Sequence, residues 1–198
     1  MEEKEVMAKP SLSLQQIFYG APGTGKSHTI KEETKESDVI RTTFHPDTDY
    51  STFVGAYKPT TALLPICDEL GQPMKIGATT LHKEQIVYEF VAQSFLQAYV
   101  NAWKKFDKDD KQYLVIEEIN RGNCAQIFGD LFQLLDRNDY GFSDYPIKAD
   151  ADMKRQLQKA FAGLVIAQKD KINAMYEGKD IVSQVLNGDI LLLPNNLY

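Results

Sequence analysis

The stretch FYGAPGTGKSHTI, residues 18–30, decides the expected fold of this chain. It matches the pattern G-x-x-x-x-G-K-[ST]. The fixed positions are occupied by Gly20, Gly25, Lys26 and Ser27. Residues 16–19 (QIFY) predict a short buried strand before the loop, and residues 27–36, which lack glycine and proline, predict a helix after it. A strand, a glycine loop and a helix in this order indicate an α/β fold with a phosphate-binding loop.

The physical basis of this prediction is the backbone of the loop. Glycines adopt positive φ angles and let the backbone approach a ligand closely. The helix that follows begins with unpaired N–H groups and a partial positive charge, which suit a phosphate. Lys26 is predicted to reach the β- and γ-phosphates, and the Ser27 hydroxyl is predicted to bind Mg²⁺. The residues predicted to contact the nucleotide are Gly20, Ala21, Pro22, Gly23, Thr24, Gly25, Lys26, Ser27 and His28.

A second informative stretch is YLVIEEINRGN, residues 113–123. Its first four residues are apolar and predict a buried strand, and Glu117 and Glu118 follow directly. Ligands of open α/β sheets bind outside the carboxyl ends of the strands. A phosphate-loop protein needs a carboxylate there for Mg²⁺, and hydrolases often use a second one to polarise water. The two acids therefore predict the remaining part of a nucleotide site.

Composition and charge exclude several other classes of protein. The chain has 198 residues, of which 43% are hydrophobic, so it is long enough for one domain with its own core. The net charge of -6 gives no general attraction to nucleic acid or to an anionic membrane. The first 16 residues lack the apolar segment of a signal peptide, and no apolar run has the length of a membrane span. Two distant cysteines predict reduced thiols, and we expect a cytoplasmic protein.

The remaining chain predicts one α/β core at 17–198 after a lead-in at 1–16. A hairpin insertion is expected at 59–90. Further predicted elements are a strand at 38–45, a strand at 85–90, a helix at 91–106, a helix at 124–137 capped by Asn123, a helical region at 152–178 with a break at Gly163, and a helix at 180–187.

Taken together, these stretches resemble the AAA+ NTPase subunit of the McrB type, the motor of restriction systems directed at 5-methylcytosine DNA. The resemblance rests on IFYGAPGTGKSHTI (17–30), RTTFHPDTDYSTFVGAYKP (41–59), YEFVAQSFLQAYVNAW (88–103) and YLVIEEINRGNCAQIFGDLFQLLDR (113–137). It implies a three-layer α/β/α fold with a parallel sheet. It also implies Mg²⁺, GTP or ATP as substrate, a hexameric ring of the full-length protein, and an endonuclease subunit and DNA as partners. No membrane partner is expected.

The resemblance also implies roles for individual residues. Lys26 and Glu118 match the catalytic lysine and the catalytic base, and Ser27 and Glu117 match the metal ligands. Asn120, Arg121 and Asn123 match the tail of the second motif. Glu117 departs from the general AAA+ pattern, in which the first acid is more often aspartate. The extra methylene moves the carboxylate by about one bond length, which a water-mediated contact to Mg²⁺ can absorb.

One part of the family pattern does not occur in residues 1–198. The family continues with a strand carrying a sensor asparagine, then basic residues of the arginine-finger type and a helical lid. The sequence LPNNLY, residues 193–198, resembles the start of that strand. In the AAA+ sheet this fourth strand lies between the first and the third. We therefore expect a truncated core in which the first and third strands have unpaired edges.

Two functions stay open at this point. The first is an NTP-hydrolysing motor subunit that drives DNA translocation or restriction, inactive in the present length. The second is a non-catalytic nucleotide-binding or assembly module. Glu118 favours the first, because a pure binding module has no need of a base. The expected gap in the sheet favours the second. The choice between GTP and ATP is not readable from these residues.

Overall fold

The computed structural model describes residues 13–198, so most of the predicted lead-in at 1–16 lies outside the described residues. The elements are α1 (Lys26–Glu33), β1 (Asp38–Thr43), α2 (Tyr50–Phe53), β2 (Gly55–Pro65), β3 (Lys75–Ile76), β4 (Thr79–Thr80), β5 (His82–Ala92), α3 (Ser94–Lys105), β6 (Gln112–Glu117), α4 (Cys124–Phe128), β7 (Ile147–Lys148), α5 (Ala151–Ala160), α6 (Lys169–Ala174), α7 (Ile181–Leu186) and β8 (Ile190–Leu191). Short 3-10 segments follow α3, β6 and α4.

The parallel sheet is centred on β6. On one side β6 pairs with β1, and the register sets Thr43 beside Glu117. On the other side Leu197 bridges Gln112 in parallel, and the N–H of Leu114 donates to the carbonyl oxygen of Tyr198 at 2.8 Å. Residues 196–198 thus lie beside the start of β6, where the resemblance places the fourth strand, so the expectation of an unpaired edge on the third strand is wrong for this part of β6. The predicted α/β class with a parallel sheet is confirmed.

The predicted strand at 16–19 is wrong for the described structure. These residues form no strand, and the side chains on either side of Phe18 face water, with Ile17 80% and Tyr19 91% exposed. The physical reason is pairing: within residues 13–198 no segment hydrogen-bonds to this backbone as a neighbouring strand. An apolar run becomes a buried strand only when a partner strand satisfies its N–H and C=O groups.

The core lies between the sheet and the helices, with α3 at its centre. Six residues of α3 are buried, and four of them, Phe95, Ala98, Tyr99 and Ala102, follow the i, i+3, i+4, i+7 spacing of one helix face. Tyr99 and Trp103 are completely buried, and both form hydrogen bonds with the backbone of Leu192. The N–H of Leu192 donates to the Tyr99 hydroxyl at 3.3 Å, and Trp103 Nε1 donates to the carbonyl oxygen of Leu192 at 3.0 Å. Helix α3 starts at Ser94 rather than at residue 91, because Val91 and Ala92 pair in β5.

Residues 55–92 form a long antiparallel hairpin. Strands β2 and β5 pair over 11 residues each, from Gly55 beside Ala92 to Pro65 beside His82, and β3 and β4 form a small second hairpin between them. The two long strands therefore extend beyond the predicted limits of 59–90. One face is rich in apolar side chains that are exposed to water: Tyr57, Leu63, Ile86 and Tyr88.

Two glycines, Gly129 and Gly163, limit the helices that follow β6, and only the break at Gly163 was predicted. The predicted helix at 124–137 ends at Phe128, because Gly129 adopts φ 50 and ψ -129, and residues 129–135 continue as a 3-10 segment. The helical region at 152–178 breaks at Gly163 (φ 77), as predicted, and gives α5 and α6. Only glycine adopts such backbone angles without steric cost.

Candidate functional site

The loop at 20–25 has the backbone expected of an anion-binding loop. Gly23 and Gly25 adopt φ angles of 78 and 84, and Gly25 directly precedes α1. No side chain caps the first turn of α1, and that turn contains no acidic residue. The first N–H groups of the helix are therefore free to bind an anion. Residues 20–25 are exposed, as are Ser27 and His28, so the loop is open to a ligand.

Lys26 is folded over this loop. Its ammonium group donates hydrogen bonds to the carbonyl oxygens of Gly20 (2.8 Å) and Ala21 (2.9 Å). The Thr24 hydroxyl donates to the same Ala21 oxygen at 2.9 Å. These contacts hold a cationic group at the centre of the loop.

The two acids at the end of β6, Glu117 and Glu118, differ in backbone conformation and in hydrogen bonding. Glu117 is the last residue of β6, and its Oε1 accepts a hydrogen bond from Arg41 Nη1 at 3.1 Å. Glu118 is exposed and adopts a left-handed backbone conformation, with φ 54 and ψ 38. Its carbonyl oxygen accepts from the N–H of Arg121 at 2.9 Å and so begins a 3-10 turn. A non-glycine residue in this conformation costs of order 1–3 kcal/mol and is found disproportionately at functional sites.

The last residues of the second motif, Asn120, Arg121 and Asn123, differ in their hydrogen bonding. The Asn123 side chain caps α4 by accepting from the N–H of Gln126 at 3.4 Å. Asn120 and Arg121 are exposed, and their side chains form no hydrogen bond within residues 13–198. Their side chains are therefore available to a ligand or a partner, whereas Asn123 has a role in the fold.

No direct contact joins the loop to the acids. Within the described part of the chain, no hydrogen bond or ion pair links residues 20–28 with Glu117 or Glu118. Partial burial and, less strongly, the Glu33 carboxylate raise the pKa of Tyr113, which lies at the start of β6.

The side chains present fit a magnesium ion by their chemistry. Ser27 and Glu117 offer oxygen ligands, which Mg²⁺ prefers, and Mg²⁺ usually binds through one or two protein groups, substrate phosphates and water. In the described residues no group of three or more His, Cys, Asp or Glu side chains could hold a metal by itself. Over the same residues, no helix is both long and apolar enough to cross a bilayer.

Sequence reasoning missed two residues of this region. Arg41 lies 76 positions before Glu117 and was given no role when the stretch 41–59 was compared with the family, so only the pairing of β1 with β6 brings the two together. Gly122 packs so closely that a Cβ atom there would lie 2.6 Å from Ile127 Cδ1 and 3.2 Å from Phe44 Cβ. A glycine inside a motif tail was the available signal for a close approach.

Comparison with known proteins agrees with this geometry. The family model described as AAA domain (dynein-related subfamily) matches residues 15–186. The type II restriction enzyme BsuMI component YdiS of Bacillus subtilis (strain 168) is 38% identical over 161 residues, which cover 75% of this chain and 45% of that protein. The type IV methyl-directed restriction enzyme EcoKMcrB subunit of Escherichia coli (strain K12) is 24% identical over 132 residues, which cover 63% of this chain and 23% of that subunit. The matched region spans less than half the length of either relative.

Proposed function

Because this chain belongs to the AAA domain family, in its dynein-related subfamily, we propose that it binds and hydrolyses a nucleoside triphosphate as the motor part of a restriction system. The observation that carries the proposal is the start of α1: a left-handed Gly25, an uncapped first turn and Lys26 folded over the loop. The similarity to restriction enzyme components of two bacteria supports the biological setting.

A single site requires the phosphate loop and the two acids to lie at the same end of the sheet. The helix has eight residues and is about 12 Å long. The strand from Tyr113 to Glu117 is about 13 Å long. We propose that α1 runs antiparallel to β6, an arrangement that would bring Ser27 to the level of Glu117. In this arrangement the phosphate loop and both acids share one end of the sheet.

Each residue then has a defined task in phosphoryl transfer to water. The N–H groups of the loop and Lys26 hold the phosphates. Ser27 and Glu117 would hold Mg²⁺, which would neutralise charge on the phosphate oxygens. The Glu118 carboxylate orients the attacking water and accepts its proton. Because its backbone is left-handed, Glu118 leaves the line of the strand and is exposed where the strand ends.

Lys26→Ala tests nucleotide binding. We expect this variant to lose most of its affinity for a fluorescent, non-hydrolysable GTP or ATP analogue, because it lacks the cation that faces the phosphates. Lys31→Ala, in the last turn of the same helix, is the matched control and should bind like the parent. Equal affinity of the Lys26 variant and the parent would refute the proposed phosphate site.

The nucleotide, the partners and the location are proposed from the similarity to the two restriction enzyme components. We propose GTP or ATP as the nucleotide, an oligomeric ring as the active form, an endonuclease subunit and DNA as partners, and the cytoplasm as the location. The net charge of -6 does not favour DNA binding by the surface as a whole. A specific surface, or other parts of a longer protein, would then contact DNA.

The exposed segment at 16–19 favours the second function, a nucleotide-binding or assembly module without turnover. This segment leads into the loop, yet it lacks a partner strand within residues 13–198. Phosphate release separates the two functions. Turnover that Glu118→Gln abolishes supports the motor, whereas nucleotide binding without turnover in every assembled form supports the module.

A further inference from the structure

The ion pair between Arg41 and Glu117 lies where the metal is proposed to bind. Arg41 is two residues before the end of β1 and pairs with Val115, while Glu117 ends β6, so the guanidinium reaches along the sheet toward the carboxyl ends of the strands. The distance from Nη1 to Oε1 is 3.1 Å. Within residues 13–198, neither side chain has another hydrogen bond or ion pair.

Both side chains lie on the face of the sheet that is turned away from the core. Ile40, Leu114 and Ile116 pack against the core cluster, and side chains alternate along a strand. Arg41 and Glu117 are therefore on the opposite face, which they share with Tyr113. Their side chains are 38% and 40% exposed, so ions and nucleotide can reach them.

A guanidinium and a divalent cation compete for the same carboxylate. The pair uses Oε1 of Glu117, and a cation close to that oxygen would also be repelled by the arginine. Conversely, without Mg²⁺ an unpaired Glu117 would repel the phosphates of a nucleotide. The arginine thus weakens metal binding and favours nucleotide binding in the absence of metal.

We propose that Arg41 is a placeholder cation, which neutralises Glu117 until Mg²⁺ arrives with the nucleotide and displaces it. Arg41 is a positioning residue here, because it acts through Glu117. The proposal rests on the proposed function, since it needs a nucleotide at the loop. According to this proposal, Arg41, a residue of β1 outside the phosphate loop and the second motif, helps to set the Mg²⁺ concentration that nucleotide binding needs.

The size of the effect follows from the exposure of the pair. Half-exposed ion pairs contribute about 0.2–1 kcal/mol. Converted at about 1.4 kcal/mol per factor of ten, the upper part of this range is a change of roughly two- to five-fold. Arg41→Gln should therefore lower the Mg²⁺ concentration for half-maximal nucleotide binding by about this factor, and should weaken nucleotide binding in EDTA.

The experiment is a titration of a fluorescent triphosphate analogue on the protein, with increasing Mg²⁺ and separately in EDTA. Arg41→Lys, which retains the charge, should fall between the parent and Arg41→Gln. In a Glu117→Gln background, Arg41→Gln should change neither quantity. Lys35→Gln, which removes an exposed ion pair with Glu32 after α1, is the control and should behave like the parent.

The outcomes separate this inference from the proposed function. Opposite shifts in Mg²⁺ and in EDTA support the placeholder, because a general loss of stability would weaken binding in both. An unchanged or increased Mg²⁺ requirement in Arg41→Gln overturns the inference and leaves the nucleotide site intact. If Arg41→Gln does not fold, Arg41→Lys decides by the same criteria. If the parent binds no nucleotide, the proposed function fails, and this inference fails with it.

Discussion

Arg137, a partly buried arginine that pairs with no carboxylate within residues 13–198, should contribute strongly to stability. Its Nη1 donates to the carbonyl oxygens of Gly141, Leu193 and Pro194 at 3.0, 3.1 and 3.2 Å, and its Nη2 donates to that of Leu197 at 3.1 Å. Arg137 thereby joins the end of the 3-10 segment to residues 193–197, which lead to the bridge beside β6. The perturbation is Arg137→Met, which keeps most of the side-chain volume and removes every donor.

The expected loss of stability in Arg137→Met depends on which carbonyl oxygens lose their only hydrogen-bond donor. Leu193 also accepts from the N–H of Ser143, and Pro194 from that of Leu197. Within residues 13–198, the carbonyl oxygens of Gly141 and Leu197 have no other donor. Two unsatisfied buried acceptors cost about 1–3 kcal/mol each.

Part of this cost is offset, since burial also disfavours the charged guanidinium and lowers the pKa of Arg137 to about 10. Its Nε is buried without a hydrogen-bond partner as well. The expected net loss is therefore about 2–4 kcal/mol. At roughly 2–4 °C per kcal/mol for a domain of this size, Tm should fall by about 5–15 °C.

The assay is thermal unfolding followed by circular dichroism, with Arg155→Met on α5 as the exposed control. Arg137→Lys should recover only part of the loss, because one ammonium group cannot reach acceptors on both segments. A Tm of Arg137→Met within about 2 °C of the parent would show that water or a rearranged backbone satisfies both carbonyls. The argument from unpaired acceptors would then be wrong.

Three further predictions concern the site and the fold. In a form of the protein that hydrolyses nucleotide, Glu118→Gln should keep binding and lower turnover by at least about 100-fold; steady-state phosphate release within a few-fold of the parent would remove Glu118 from the mechanism. Gly188→Ala should lower the free energy of unfolding by about 2–4 kcal/mol, because φ is 69 and the new Cβ would lie 2.7 Å from the Lys154 carbonyl oxygen. Gly163→Ala, with φ 77 and nothing within 4 Å, should cost only about 1–2 kcal/mol in chemical denaturation, and equal losses would contradict the role of the close contact. A hydrogen bond from the lysine that starts α6 holds the pKa of Asp180 at about 2, below its ordinary 3.8; this stabilisation is present above pH 4 and is lost as pH falls through 2. The Tm difference between Asp180→Asn and the parent should therefore shrink over that range, and a constant difference would assign the effect to packing.

Local signals predicted the parts of the site that depend on a few consecutive residues. The glycines of the loop predicted the positive φ angles, because glycine is the residue that adopts them without strain. A helix was predicted from Ser27, and it starts one residue earlier, at Lys26. An apolar run followed by two acids predicted β6 and its carboxylates. The cap by Asn123 and the break at Gly163 were also predicted, because each depends on the local preference of a single residue.

Only the tertiary structure decided features that need a distant partner. Residues 16–19 have the composition of a buried strand, yet they are exposed, because no described segment pairs with them. Arg41 reaches Glu117 through the parallel register of β1 and β6, which no local pattern encodes. The sequence by itself therefore determined the chemistry of the phosphate loop and of the acids, since backbone preference and polarity act within a few residues. Burial, strand pairing and the cation beside Glu117 were decided by tertiary contacts, because their free energy depends on groups that the chain brings together only on folding.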